Sequence, residues 1–170
     1  IIQNGKFKDK VVVLNPLITC GSCEYCKQGR EHLCPERSIL GMSKPIKREG
    51  GLAEYVSIPD KNIYEIPTGL DTKEAAVAEP TAVSLHAVLL GEQTLKKPLS
   101  ECRVLIQGGG AIGLLCGLIL AKEKNCKDIV LSDPNKKRLD KCSKYLDAKY
   151  VEPNDKSINS NSFDIIFDSV

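Results

Sequence analysis

Apolar positions change rhythm near Pro67. Before it they come in short runs, Val11–Leu14, then Leu52–Ile58 ahead of Pro59 and Ile63–Ile66 ahead of Pro67. Alternating apolar residues rich in β-branched and aromatic side chains predict strands at these three places. Pro and Gly punctuation between the runs suits a small barrel better than a parallel sheet. Between them, Ser43–Gly51 combines a proline, two adjacent glycines and several charges, and reads as an exposed loop.

After Pro67 the apolar residues lengthen into helical spacing. Asp71 or Thr72 can cap a helix that starts with Glu74, and Ala75–Leu90 is helical in composition, with Pro80 expected to kink or restart it. A strand at Arg103–Gln107 leads through glycines into an apolar helix that runs to about Lys124. A second strand, Ile129–Ser132, precedes a helix over Lys136–Leu146 with Leu139, Cys142 and Leu146 on one face. Short strands are expected at Tyr150–Val151 and Phe163–Phe167. Strands alternating with helices predict a parallel, doubly wound α/β arrangement.

Four cysteines interrupt the β-rich half. Cys20, Cys23, Cys26 and Cys34 follow C-x2-C-x2-C-x7-C in the run CGSCEYCKQGREHLC. Thiolates at this spacing can converge on one tetrahedral zinc, and four sulfur ligands leave no open position for substrate, so the motif predicts a structural metal lobe. An iron–sulfur cluster is the rival reading, since Cys34 precedes Pro35. Its usual last spacing is three residues, however, and here there are seven, including Lys27, Arg30 and Glu31. Disulfides fit poorly with a chain that shows no export signal. The other four cysteines, Cys102, Cys116, Cys126 and Cys142, read as small core residues.

The second motif is Gly108-Gly109-Gly110-Ala111-Ile112-Gly113, a G-x-G-x-x-G between a predicted strand and a predicted helix. Gly108 permits the tight turn, Gly110 lets a pyrophosphate approach the backbone, and Gly113 lets strand and helix pack closely. Asp133, at the end of the next strand, can accept both hydroxyls of a ribose and repel a 2′-phosphate, which predicts NAD rather than NADP. The cations Lys136, Lys137 and Arg138 just beyond it pull the other way.

Composition excludes more than it selects. The net charge of +2 is spread evenly, with 11 basic and 11 acidic groups in residues 1–80 and 13 and 11 in residues 81–170. No basic stripe with interleaved aromatics suggests nucleic acid. No apolar run approaches the length of a membrane span, the longest, Ala111–Ala121, being broken by Gly113 and Gly117. Eight cysteines without an export signal suit the cytoplasm.

With both motifs in place, the chain resembles the zinc-dependent medium-chain dehydrogenases, the alcohol and polyol dehydrogenase superfamily. The likeness runs collinearly through Lys10–Val13, the cysteine lobe, Gly50–Val56, Glu79-Pro80 with His86, the glycine loop and Phe163-Asp164. It implies part of a GroES-like β-barrel domain over residues 1–80, with the zinc lobe at 20–34, followed by the first half of a Rossmann NAD-binding domain over residues 81–170. It also implies Cys20, Cys23, Cys26 and Cys34 as structural zinc ligands, Ile112 behind the nicotinamide ring and Arg138 near the adenosine ribose. Glu79 falls at a catalytic-zinc position and is the candidate catalytic residue. His86 is expected to pack or hydrogen-bond rather than ligate. The family implies hydride transfer between NAD and a secondary alcohol, of polyol or sugar-acid type given Glu79. It implies a small-molecule alcohol or polyol as partner, neither nucleic acid nor membrane, and a homodimer or homotetramer for the complete enzyme. A zinc-free quinone or enoyl reductase and a non-catalytic dinucleotide sensor are the alternatives. The resemblance further implies an internal fragment, inactive by itself, because the family's catalytic Cys and His-Glu pair would precede Ile1.

Overall fold

The computed structural model describes residues 7–159 and 161–170. Backbone contacts divide the chain between Val77 and Ala78.

In the first unit, strand β1 (Val12–Leu14) pairs antiparallel with β4 (Ile63–Glu65), and β2 (Leu17–Ile18) with β3 (Ser38–Ile39). The buried Asn62 ties these pairs together: its side-chain amide donates to the carbonyls of Asn15 (2.9 Å) and Leu17 (2.6 Å). Between β2 and β3 lies the cysteine lobe, which contains the single-turn helix α1 (Glu24–Lys27). The expected strand over Leu52–Ile58 is not formed. Leu52 is fully exposed and Tyr55 is 64% exposed, so among the described residues alternation there meets neither a partner strand nor a core. Helix α2 (Thr72–Ala75) closes the unit. Asp71 accepts from the Lys73 amide, and Glu74 reaches back to the Asp71 amide in a capping box.

The second unit opens on helix α3 (Ala78–Gln93). The chain leaves helix at Ala76 and Val77, before Pro80 rather than at it. In the first turn of α3, Pro80 lacks only an N–H that would have no partner in the helix. Strand β5 (Arg103–Gln107), helix α4 (Ala111–Lys122), strand β6 (Asp128–Ser132), helix α5 (Lys136–Cys142), strand β7 (Lys149–Val151) and strand β8 (Ile165–Asp168) follow. All pairings are parallel, in the order β7-β6-β5-β8. Helix α5 ends at Cys142, short of the expected Leu146. The turn after it still buries Leu146, whose amide bonds to the Cys142 carbonyl.

The sheet has unequal faces. One carries Val104, Ile106, Ile129, Leu131 and Phe167 against α3, α4 and α5, in a core of fifteen buried residues that includes Cys102, Cys116, Cys126 and Cys142. The other buries Leu105, Val130 and Val151, with Ile158 and Phe163 packed against them among the described residues. The connection from β7 to β8 supplies that cover with no helix among its described residues, although a parallel crossover usually includes one.

Candidate functional site

The cysteine lobe is built by turns that bring four sulfurs inward. Gly21 and Gly29 both take positive φ (+73° and +72°), which lets the chain reverse on either side of α1 without Cβ strain. Cys23 caps α1, its sulfur accepting from the Cys26 amide at 3.5 Å, while Cys20 accepts from the Ser22 and Cys23 amides. The four sulfur atoms all lie within 4.8 Å of one another, with Cys20 3.9 Å from Cys26 and 3.6 Å from Cys34. A tetrahedral zinc with bonds of about 2.3 Å needs sulfur–sulfur edges of about 3.8 Å, so the set fits the ion. The Ser22 and Cys23 amides draw the Cys20 thiol down to about 6, whereas burial and the neighbouring Cys23 push Cys26 up to about 11. Such an unequal set takes up a metal with release of protons.

The glycine loop lies at the carboxyl ends of β5 and β6, where ligands bind in open α/β sheets. Gly108 has φ +99°, and a Cβ there would meet Ser169 at 2.8 Å. Gly113 packs so tightly that a Cβ would strike the Gly108 carbonyl oxygen. At Gly110 a Cβ would meet nothing within 4 Å, so the loop is open on that side. Gly110 is the N-cap of α4 and contributes no side chain, which leaves the helix end bare for an anion.

Asp133 stands at the end of β6, where the sequence places it, but it is buried at 1% exposure. One carboxylate oxygen accepts from the Asn135 amide (2.6 Å). The other accepts from the Gly109 amide (2.8 Å) and faces Arg138 Nη1 at 3.5 Å. Burial alone would raise its pKa. The two amides and the guanidinium outweigh burial and hold the carboxyl below the usual range. Lys136, Lys137 and Arg138 are exposed on the first turn of α5.

Ile112 lies in the first turn of α4, partly exposed. Glu79 is exposed in the first turn of α3, so the alanines and valines beside it in sequence do not enclose it. One hydroxyl joins the two helices: the fully buried Ser84 donates to the Pro80 carbonyl (2.8 Å) and reaches the Ile112 carbonyl (3.4 Å). His86 is on the exposed side of α3. Sequence reading missed Ser84 and Ser169, the latter donating to the Gln107 carbonyl under the glycine loop at 2.7 Å. Their partners lie 28 and 62 residues away, and no motif marks them. Among the described residues, no helix is long and apolar enough to cross a membrane.

Comparison with known proteins adds the family context. Residues 4–68 match the alcohol dehydrogenase GroES-like domain. An L-threonine 3-dehydrogenase from Marinomonas sp. (strain MWYL1) is 37% identical over 131 residues, covering 75% of this chain and 34% of its own length. The crystal structure of L-idonate 5-dehydrogenase from Escherichia coli K-12 matches with a TM-score of 0.79 at 29% identity, over 94% of this chain and 46% of that one. A short chain alcohol dehydrogenase from E. coli CFT073, solved with NADH, matches with a TM-score of 0.75 at 26% identity, over 86% and 41%. The chain spans about a third of the length of the curated relatives it matches.

Proposed function

Because the chain belongs to the zinc-dependent medium-chain alcohol and polyol dehydrogenases, we propose that it serves hydride transfer between NAD and a secondary alcohol. The observation that carries this reading is the glycine loop, open above Gly110 and backed by the bare end of α4. A pyrophosphate placed there meets backbone N–H groups and the positive end of the helix dipole. Ile112, one residue into the same helix turn, then stands behind the nicotinamide. NAD accepts the hydride; the chain supplies position and field.

Asp133 brings negative charge to the end of β6, where the adenosine ribose of a Rossmann ligand lies, and this favours NAD over NADP. The Cys20, Cys23, Cys26 and Cys34 set holds a structural zinc and keeps the lobe folded. A catalytic zinc, when bound, acts as a Lewis acid on the substrate hydroxyl, and Glu79 is this chain's candidate for its surroundings. The substrate is a small polar secondary alcohol of polyol or sugar-acid type. Two relatives support that class, since L-threonine at carbon 3 and L-idonate at carbon 5 both carry secondary hydroxyls on acid-bearing molecules. The test is NAD and NADP reduction by the zinc-loaded, full-length protein with a panel of polyols, sugar acids and L-threonine. NAD reduction with at least one of these is the expected result. Reduction of neither cofactor, or a preference for NADP, overturns the corresponding part of the reading.

A further inference from the structure

Resting on the dinucleotide reading above, we propose that Asp133 and Cys142 are positioning residues that set the shape of the glycine loop by gripping Gly109 at both its polar groups. The Asp133 carboxylate accepts from the Gly109 amide at 2.8 Å, and the Cys142 thiol donates to the Gly109 carbonyl at 3.5 Å. The preceding residue is held in the same way, its amide donating to the Ser132 carbonyl at 2.7 Å. Three bonds therefore fasten the loop to the end of β6 and the end of α5. Both gripping side chains are buried, Asp133 at 1% and Cys142 at 2% exposure.

The consequence follows from peptide geometry. In a trans peptide the C=O and N–H point in opposite directions, and the only cis bond among the described residues is Lys44-Pro45. With the Gly109 carbonyl drawn toward Cys142, the Gly110 amide faces away from α5, on the side where the loop is open. With the Gly109 amide drawn toward Asp133, the Gly108 carbonyl is turned toward Ser169, whose hydroxyl lies 3.2 Å from it. The two grips thus fix both peptide planes that bracket the phosphate position. Asp133 has little capacity left over, since its oxygens already take N–H groups from Gly109, Asn135 and Arg138. Its effect on a dinucleotide runs through the loop, whatever it gives to the ribose.

The test compares Asp133→Asn and Cys142→Ala with the parent in the full-length protein. Each is titrated with NADH and with an NADH analogue whose adenosine ribose lacks the 2′-hydroxyl. A carboxamide must turn an NH2 group toward one of the buried amide donors, so D133N is expected to weaken NADH binding by about tenfold or more. It should weaken the analogue by the same factor. Cys142→Ala, which removes a weak neutral donor, should cost about two- to fivefold with both ligands. Hydrogen exchange over residues 108–114 should quicken in both variants while β5 stays protected. A D133N loss seen with NADH but absent with the analogue would place the whole effect at the ribose and overturn the proposal. If D133N does not fold, Cys142→Ala decides, and unchanged affinity for both ligands overturns it. A parent protein that binds neither ligand overturns the dinucleotide reading itself, a result distinct from any pattern among the variants.

Discussion

Gly113 and Gly110 belong to one motif, yet alanine at the two positions should fail in different ways. At Gly113 a new Cβ meets the Gly108 carbonyl oxygen at a distance no real contact adopts, with the Gly108 carbonyl carbon at 3.1 Å and the Ser169 hydroxyl at 2.7 Å. The obstacle is backbone. Gly108 sits at φ +99° with its amide bound to Ser132 at 2.7 Å, so it yields only by breaking the loop's attachment to β6. Overpacking of this kind costs about 1–3 kcal/mol, and a backbone obstacle puts the cost near the top of that range. Replacing a helical glycine by alanine returns about 1 kcal/mol. The net expectation is a loss of about 2 kcal/mol, which for a unit of this size lowers Tm by about 8–16 °C. At Gly110 the backbone is at φ −78°, ψ −172°, open to any residue, and no atom lies within 4 Å of the new Cβ. Stability there should change by no more than about 1 kcal/mol, the difference between glycine and alanine at an N-cap. On the proposed dinucleotide reading that Cβ fills the space a pyrophosphate would take, so NADH affinity should fall by at least about tenfold, or 1.4 kcal/mol. Thermal unfolding by circular dichroism and NADH titration by fluorescence read the two effects separately. A Gly113→Ala protein with the parent Tm, or a Gly110→Ala protein that binds NADH normally, would refute the reasoning.

Purified protein should contain about one zinc per chain in the cysteine lobe, and Cys23→Ser should abolish it and open the lobe to protease; metal analysis showing iron with a visible absorption band would contradict this. The Asp133 carboxyl is held below its unfolded value of about 3.9, so the stability it contributes is present above that pH and lost as pH falls through the folded value. Denaturant unfolding between pH 7 and 3 should therefore show an acid loss that is smaller in D133N. Glu79→Ala in the full-length protein should lower turnover by about 10–100-fold and leave NADH titration unchanged; a silent substitution removes Glu79 from the candidate site.

Much of this was legible in the sequence because the decisive interactions are local. The cysteine spacing and the strand–glycine–helix order each lie within a few turns of chain, and β5, the glycine turn and α4 fall where the pattern puts them. The capping box at Asp71 and Glu74 is equally local. Features that depend on distant partners were not readable. Leu52–Ile58 alternates like a strand and stays irregular, since alternation carries no information about whether a partner edge is present. Asp133 could be read as a ribose acceptor, but not as the acceptor for an amide 24 residues earlier. The exposure of Glu79 was hidden for the same reason, because apolar neighbours in sequence need not be neighbours in space.

The unequal faces of the second unit's sheet have a consequence for how it opens. Among the described residues, Ile158 and Phe163 are the apolar side chains packed on the thin face, and no helix is formed between β7 and β8 there. Few buried contacts and a weakly bonded backbone mark the segments that detach first in native-state fluctuations. Lifting residues 152–164 bares Leu105 and Val130, at the sheet's centre, while α3, α4 and α5 keep the opposite face dry. A protease that finds the opened segment cuts between β7 and β8, leaving the glycine loop, β6 and Asp133 together on the same piece of chain.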